Sequence, residues 1–227
     1  MLELYIGNKN YSSWSMRAWV LLRQFGIAFS ERHVRFDSFE SNSEFKQIMG
    51  AMTPTAKVPV LVDQEWVIWD SLAIAEYLAE KFPDRSLWPE QAQWRARARS
   101  LTAQMHSGFA ALRSACPMNI EADLRHIGAL AWRDRPAVRQ DIAQLEAVWS
   151  LALDGSDGPY LFGDFSIADA FYAPVCMRVL TYGLPMSVRA MRYIEQICQT
   201  PAVTQWMTEA RAERDFRAFE EPYRLQR

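Results

Sequence analysis

The sequence predicts two domains, an α+β unit over residues 1–81 and an all-helical unit over residues 91–227, joined by a linker at residues 82–90. Three observations favour this division. Within the first 80 residues, stretches with the period of two that is typical of strands alternate with stretches of helical spacing. The connector "FPDRSLWPE" carries two prolines, which interrupt regular structure. Beyond it, almost every patterned stretch has helical spacing.

The first half of the N-terminal unit contains two predicted strands and two predicted helices. "LELYIG" predicts a strand, because Leu2, Leu4 and Ile6 share one face. "SMRAWVLLRQFG" predicts a helix, and Gly26 stands where a helix C-terminal glycine is expected. "AFSERHVRF" then predicts a second strand, and "SNSEFKQIMGA" a short helix.

The second half of this unit predicts two more strands and a closing helix. Two β-rich runs, Val58 to Val62 and Trp66 to Trp69, are separated by the polar turn Asp63-Gln64-Glu65. "SLAIAEYLAEKF" predicts the closing helix. The predicted order is therefore β-α-β-α-β-β-α, which resembles the thioredoxin-like fold.

Three stretches mark the helical domain. "QWRARARSLTAQMHSGFAALRSA" predicts one long helix, and "RPAVRQDIAQLEAVWSLAL" predicts another with Pro136 near its start, where a missing N–H is tolerated. In "GDFSIADAFYAPV", Ser166 is placed to cap a helix and Asp169 to reach back to the cap's N–H. We interpret this pair as structural.

Composition and charge exclude several classes of function. The chain has 25 basic and 27 acidic residues, a formal net charge of -2, so it has no overall basic field of the kind that attracts nucleic acid. No run approaches the ~18 consecutive apolar residues of a membrane span, and the N-terminus does not have the pattern of a signal peptide. We therefore expect a soluble, cytoplasmic protein with neither a nucleic-acid nor a membrane partner.

The cysteines and histidines predict no metal or disulfide chemistry. Cys116, Cys176 and Cys198 are odd in number and far apart, which favours reduced thiols. The three histidines are scattered, with no cysteine near any of them at ligand spacing. A metal site is not expected.

Four short motifs in order along the chain resemble those of the soluble glutathione transferases. They are the serine loop (residues 8–15, "NKNYSSWS"), "KVPVL", "DSLAIAEYL" and the "SIAD" capping box. The resemblance covers essentially the whole chain, and "YSSWSMRAWVLL" is most similar to the serine-type zeta-class pattern "SSCSWRVR". It implies a glutathione-binding homodimer that acts on a small electrophile.

Ser12 stands at the family's catalytic-serine position, and the chemistry required of it can be stated directly. Only the thiolate form of glutathione attacks electrophiles well. A hydroxyl that donates a hydrogen bond to the sulfur, together with the positive end of the next helix, lowers the thiol pKa. Ser13 and Ser15 are predicted to contribute to glutathione binding in the same loop. A loop or N-cap serine cluster remains the alternative.

Five further residues match the family's glutathione site. Pro59 after Val58 matches the family's cis-proline, which lets the backbone of Val58 pair with the cysteinyl part of the tripeptide. Asp70 and Ser71 open a helix whose N-terminus suits the γ-glutamyl carboxylate. Lys57 is placed for the glycyl carboxylate. The alternatives are a plain N-cap for Asp70 and Ser71, and an ordinary surface role for Lys57.

The second substrate is assigned to the helical domain. His106, Phe109 and Arg113 fall at i, i+3 and i+7 of one predicted helical face, and Arg178 supplies another cation. Such residues suit an apolar electrophile that carries a carboxylate. Core packing or interhelical pairing is the alternative for each of the four.

The first 80 residues contain no cysteine, and Trp14 stands where the zeta pattern has one. Ser12 and Ser15 have the spacing of a Cys-x-x-Cys pair, so hydroxyls replace thiols and the loop cannot form a disulfide. The leading interpretation is glutathione conjugation. Isomerisation of the maleylacetoacetate type, a peroxide-reducing variant and a non-catalytic glutathione-transferase-like scaffold are the alternatives.

Overall fold

A computed structural model describes residues Met1–Arg227. The N-terminal domain contains, in chain order, strand β1 (Leu2–Ile6), helix α1 (Ser13–Gln24), strand β2 (Phe29–His33), helix α2 (Glu44–Met52), strands β3 (Val60–Asp63) and β4 (Trp66–Ile68), and helix α3 (Ser71–Lys81). The sheet order is β2-β1-β3-β4, with β1 parallel to β2 and the other neighbouring pairs antiparallel. The predicted thioredoxin-like fold is confirmed.

The predicted alternation in the first strand matches its burial. Leu2, Leu4 and Ile6 are buried, whereas Glu3 and Tyr5 are partly exposed. Strand β1 lies between β2 and β3, and its buried face belongs to the hydrophobic core. At the C-terminal end of β1 the chain enters the serine loop. The sheet therefore delivers this loop to the start of α1.

The remainder of the chain is helical, as predicted. A 3-10 turn (Pro83–Arg85) precedes seven α-helices: α4 (Ala92–Ser107), α5 (Ala110–Ala115), α6 (Arg125–Asp134), α7 (Pro136–Asp154), α8 (Ile167–Tyr182), α9 (Val188–Gln199) and α10 (Pro201–Glu213). A second 3-10 turn (Ala218–Glu220) lies in the C-terminal segment, residues 214–227. None of the helices combines the length and the apolar composition needed to cross a membrane.

The prediction of one long helix from Gln93 to Ala115 is wrong. Helix α4 ends at Ser107, Phe109 has a left-handed φ of 56°, and α5 starts at Ala110. A Cβ at Gly108 would lie 2.7 Å from the carbonyl oxygen of Gln104, so this close turn requires glycine. His106, Phe109 and Arg113 therefore do not share one helical face.

Helix α8 is the centre of the molecule. It is apolar on nearly all sides and buried along almost its whole length. Ser166 and Asp169 form the predicted capping box, in which Asp169 accepts a hydrogen bond from the Ser166 N–H at 2.9 Å. The helix packs against both α4 and α1, which fixes the N-terminus of α1 against the helical domain.

The two domains share one hydrophobic core of 55 buried residues. Trp19 of α1 meets Trp206 of α10 with ring centroids 5.3 Å apart. The C-terminal segment then folds back over the serine loop, where Asp215 accepts a hydrogen bond from Asn8 at 2.9 Å. The serine loop thus lies at the junction of sheet, helical domain and C-terminal segment.

Candidate active site

Two adjoining cavities open at this junction. The Ser12 cavity, of about 420 Å³, lies between the serine loop and the C-terminal segment, and the Asp70 cavity, of about 720 Å³, lies at the start of α3. They share four lining residues: Trp14, Lys57, Val58 and Arg113. The shared walls make them two parts of one cleft.

The structure distributes the predicted residues between the two cavities. The Ser12 cavity is lined by Ser12, Ser13, Lys57, Val58, Arg113 and Arg178, and the Asp70 cavity by Lys57, Val58, Pro59, Asp70, Ser71, His106 and Arg113. Ser15 lies fully buried behind Ser12. Phe109 belongs to the hydrophobic core and lines neither cavity, because the turn at Gly108 directs it inward.

Ser12 and Ser15 form a hydroxyl pair at the N-terminus of α1. Ser12 is the N-cap residue, and its hydroxyl lies 2.7 Å from the hydroxyl of Ser15. Ser15 also accepts a hydrogen bond from the backbone N–H of Gly7 at 3.2 Å. A hydroxyl has one proton and two lone pairs. In the structure the Ser12 hydroxyl donates its proton to Ser15, and a rotation about its C–O bond would direct that proton into the cavity.

Ser13 is the other loop serine that faces the cleft. Its hydroxyl accepts a hydrogen bond from Nη2 of Arg178, 3.3 Å away. Since that contact uses a lone pair, the hydroxyl proton of Ser13 is also available to a bound group. Ser13 therefore connects α1 to α8 at the edge of the Ser12 cavity.

The Asp70 cavity has the features of an anion and ammonium site. Asp70 caps α3 through a 2.9 Å hydrogen bond from the Leu72 N–H, and its side chain is 55 % exposed. The Ser71 hydroxyl is buried and has no hydrogen-bond partner. An unpartnered buried hydroxyl at a helix N-terminus suits a ligand that carries a carboxylate, and the exposed Asp70 carboxylate suits an ammonium group.

His106 lies against Asp70. Its Nε2 is 3.1 Å from Oδ2 of Asp70, and its ring meets Trp14 edge-on with centroids 5.1 Å apart. The structure thus places this predicted second-substrate residue in the Asp70 cavity, where it bridges the helical domain to the cap of α3.

Lys57 and Val58 lie in the wall that the two cavities share. The Lys57 side chain is exposed and has neither a hydrogen bond nor an ion pair, so its ammonium group is available to an anionic ligand. The Val58–Pro59 peptide is cis, as the resemblance implies.

Two guanidinium groups lie against Trp14, which sequence reasoning did not place in the site, and a third lies at the neighbouring Ser13. Arg17 and Arg113 lie 4.2 and 4.8 Å from the Trp14 ring centre, and Arg178 reaches Ser13. None of the three pairs with a carboxylate in the structure. Two nitrogens of Arg17 (Nε and Nη1) and Nε of Arg178 are buried without a partner.

Burial dominates the electrostatics of these arginines. It lowers the pKa of Arg17 to about 9 and that of Arg178 to about 10, and their mutual repulsion with Arg113 adds to the effect. All three still carry their charge at neutral pH. Because the N-terminus of α1 adds its own partial positive charge, the serine loop lies in a positive potential that favours an anion.

The far wall of the Ser12 cavity is aromatic. Phe36, Phe39 and Phe45 contact one another edge-on, with centroids 4.9 to 5.9 Å apart. Tyr11 lines the same cavity, but its hydroxyl donates to Glu221 at 2.8 Å and accepts from the Arg217 N–H. Burial raises the pKa of Tyr11. Tyr11 is therefore not the hydroxyl that is free to stabilise an anion.

Sequence reasoning missed Arg17, the three phenylalanines and Glu220, which lines the Ser12 cavity from the C-terminal segment. Arg17 had a readable signal, since a charged residue amid the apolar positions of a helix requires an explanation. The three phenylalanines also had a readable signal, which is their spacing in "FDSFESNSEF". Glu220 had none.

Comparisons with known proteins bear on this site. The family model for the glutathione S-transferase N-terminal domain matches residues 11–81, and that for the C-terminal domain matches residues 92–209. Glutathione S-transferase 1 of Dianthus caryophyllus is 31% identical over 189 residues, which cover 82% of this chain and 81% of that protein. A probable maleylacetoacetate isomerase of Caenorhabditis elegans is 29% identical over 185 residues, with 81% of each chain covered.

A solved structure adds a likeness in three dimensions. A glutathione transferase homologue from Burkholderia GL BGR1, with bound glutathione, aligns with a TM-score of 0.68 and 27% sequence identity, covering 93% of this chain and 98% of its own. The four-stranded mixed sheet, the helical domain, the matches to both domain models and these relatives agree. This chain belongs to the glutathione S-transferase family.

Proposed function

We propose that this protein is a glutathione transferase in which Ser12 stabilises the glutathione thiolate for attack on a small electrophile. The observation that carries the proposal is the Ser12–Ser15 hydroxyl pair at the N-terminus of α1. Ser15 is anchored by the Gly7 N–H and accepts the hydrogen bond that the Ser12 hydroxyl donates, while the Ser15 N–H donates to Oγ of Ser12 at 3.4 Å. When a thiolate binds, the Ser12 hydroxyl can turn from Ser15 and donate its proton to the sulfur. A hydrogen bond to the charged form lowers a pKa, and the three unpaired arginines act in the same direction.

The Asp70 cavity is proposed to hold the rest of the tripeptide. The unpartnered Ser71 hydroxyl, the N-terminus of α3 and the exposed Asp70 suit the γ-glutamyl group. Lys57 suits the glycyl carboxylate, and the backbone of Val58 the cysteinyl part. Because the two cavities share Trp14 and Val58, a ligand in the Asp70 cavity can extend its sulfur to Ser12.

The test of the mechanism compares Ser12→Ala with Ser13→Ala. A hydrogen bond to a charged group is worth about 1.5–3 kcal/mol, so Ser12→Ala is expected to raise the pKa of the bound thiol by about one to two units. The affinity for glutathione is expected to change little. The pKa of the bound thiol is measured from the ultraviolet absorbance of the thiolate against pH. The affinity for glutathione is measured by calorimetric titration. An unchanged thiol pKa in Ser12→Ala would remove Ser12 from this role.

A glutathione-affinity column separates the enzyme from a binding scaffold that keeps only the fold. Retention of the folded protein and its elution by free glutathione are expected. A folded protein that passes through unretained would contradict the transferase proposal. The homodimer that the resemblance implies stays a prediction, to be checked by light scattering in solution.

Isomerisation of the maleylacetoacetate type is the second candidate. The guanidinium groups of Arg113 and Arg178 lie in the Ser12 cavity with no carboxylate partner, so they suit a substrate that carries a carboxylate. The C. elegans relative points the same way. An assay with maleylacetone and catalytic glutathione distinguishes the two: turnover of maleylacetone that exceeds conjugation of chlorodinitrobenzene would favour the isomerase.

A further inference from the structure

Glu220 is the one acidic residue among those that line the Ser12 cavity, and it comes from the other end of the chain. It is partly buried and lines the cavity together with Ser12 and Arg178. No residue donates a hydrogen bond to its side chain, and it forms no ion pair. The adjacent Glu221 differs in each respect: it is buried and accepts hydrogen bonds from Tyr11 at 2.8 Å and from Asn119 at 2.9 Å.

The C-terminal segment holds Glu220 in place from both sides. Before it, the Arg217 N–H donates to the Tyr11 hydroxyl at 3.2 Å, and Phe219 meets Phe39 with centroids 5.1 Å apart. After it, the Tyr223 hydroxyl donates to the Ala115 carbonyl oxygen at 2.7 Å. The segment is thus anchored to the serine loop and to α5, and Glu220 lies between the anchors with its side chain unengaged.

This environment keeps Glu220 partly protonated at neutral pH. Burial, and then the negative charge of Glu221, raise the pKa of Glu220 to about 7. The other charged groups that line the cavity are Lys46, Lys57, Arg113 and Arg178, with the Tyr11 hydroxyl beside them. None of them forms a hydrogen bond or an ion pair with Glu220, so the protonated fraction of Glu220 is free to transfer its proton to a bound molecule.

We propose that Glu220 is a general acid in the addition of the thiolate to activated alkenes such as enals and enones. The inference rests on the proposed transferase function and adds to it a second catalytic group. A cavity of about 420 Å³ is near the lower end of the ~300–1,000 Å³ of ligand sites. A small electrophile in it therefore lies close both to the sulfur at Ser12 and to Glu220.

The proton requirement distinguishes this class of electrophile. The thiolate forms a C–S bond to the β-carbon of the alkene, and the electron pair of the C=C bond moves to the carbonyl oxygen as an enolate. The O–H bond of Glu220 then breaks and its proton goes to the α-carbon, which restores the carbonyl group. Glu220 is left as a carboxylate and regains a proton from water. Aromatic substitution instead expels chloride and requires no proton donor.

The test compares wild type and Glu220→Gln, both full length, with benzalacetone as the enone and chlorodinitrobenzene as the chloroarene. The readout is the kcat/KM for benzalacetone divided by the kcat/KM for chlorodinitrobenzene. Damage to the C-terminal segment would lower both values and leave this ratio unchanged. We expect this ratio to fall by about 100-fold or more in the variant, since a positioned general acid contributes ~10²-fold or more. Glu195→Gln, an exposed carboxyl on α9, is the matched control and should keep the wild-type ratio.

The pH dependence supplies a second readout. In the wild type the ratio is expected to fall as the pH rises through about 7, where Glu220 loses its proton, and in Glu220→Gln it should not depend on pH in this range. An unchanged ratio, or an equal fall of both rates, would overturn the inference while leaving the transferase proposal intact. Failure of the wild type to conjugate either electrophile would instead contradict the transferase proposal itself.

Discussion

Ser15, which lies outside both cavities, holds the hydroxyl of Ser12 at 2.7 Å and is itself bound by the Gly7 N–H at 3.2 Å. The orientation of the Ser12 hydroxyl thus depends on a fully buried residue that is held at the point where β1 ends. We therefore predict that Ser15 positions Ser12 and does not itself contact glutathione.

We expect Ser15→Ala to raise the pKa of the bound glutathione thiol, but by less than Ser12→Ala does. Without the Ser15 hydroxyl, Ser12 keeps its proton but loses the partner that fixes the direction of its own hydroxyl. The buried Gly7 N–H also loses its partner, which lowers the free energy of unfolding by about 1–3 kcal/mol. Thiolate absorbance and urea denaturation measure the two effects. Ser100→Ala, on the exposed face of α4, is the control, and an equal thiol pKa in Ser15→Ala and wild type would contradict the positioning role.

The contact between His106 and Asp70 predicts a specific loss of glutathione affinity. His106 fixes the carboxylate that is proposed to receive the γ-glutamyl ammonium group, with 3.1 Å between Nε2 and Oδ2. His106→Ala is expected to weaken glutathione binding by up to about fivefold, as loss of a partly exposed polar contact worth up to ~1 kcal/mol implies. The thiol pKa should stay the same, because Ser12 is untouched.

Calorimetric titration with glutathione measures this effect. His106→Gln retains a side-chain donor and should recover part of the affinity, whereas His126→Gln, at an exposed position of α6, should bind as the wild type does. Wild-type affinity in His106→Ala would show that Asp70 does not require its neighbour.

Asp169 predicts the largest effect on stability. Its buried carboxylate accepts hydrogen bonds from the N–H groups of Leu161 and Ser166 and from the hydroxyls of Ser166 and Tyr193, at 2.9 to 3.1 Å. Asp169→Ala leaves these donors without a partner, at about 1–3 kcal/mol for each one that stays buried. We therefore expect a loss of at least ~3 kcal/mol in the free energy of unfolding.

Chemical denaturation measures this loss, with Asp84→Ala in the exposed linker turn as the control. A loss within ~1 kcal/mol of that control would mean that water replaces the missing acceptor. Asp169→Asn should fall between the two, since an amide oxygen still accepts but its NH₂ group faces other donors.

Local patterns predicted the elements of this fold well, and tertiary effects account for the main failure. The alternation of Leu2, Leu4 and Ile6 and the capping box at Ser166 are local signals, and the structure contains both elements. The turn at Gly108 was missed because glycine occurs inside helices as well as after them. The packing of Phe109 into the shared core decides whether the helix continues through Gly108 or ends there.

Residues predicted from one loop or one helix start do line the cleft, as Ser12 and Asp70 show, and their roles stay predictions. The sequence did not predict contacts that join distant parts of the chain. Arg178 and Ser13 were each assigned to the site, but their contact across 165 positions was not predicted, nor was that of Glu221 with Tyr11 across 210. No spacing rule encodes such pairs, so the place of Glu220 in the cavity became visible only in three dimensions.

Arg17 predicts a variant that gains stability and loses reactivity. Its guanidinium is buried between Trp14 and Phe171, 4.2 and 4.8 Å from the ring centres, with two nitrogens unpartnered. Replacing an uncompensated buried charge by an apolar side chain of similar size is often stabilising by ~1 kcal/mol or more. Arg17→Met should therefore unfold at a higher urea concentration.

The same change removes a positive charge behind Ser12. At an effective dielectric constant of ~20, such a charge several ångströms away is worth about 1–2 kcal/mol, so the bound thiol pKa should rise by about one unit. Arg97→Met, on the exposed face of α4, is the control for both measurements. A variant that is less stable than the wild type, with an unchanged thiol pKa, would mean that Arg17 serves packing alone.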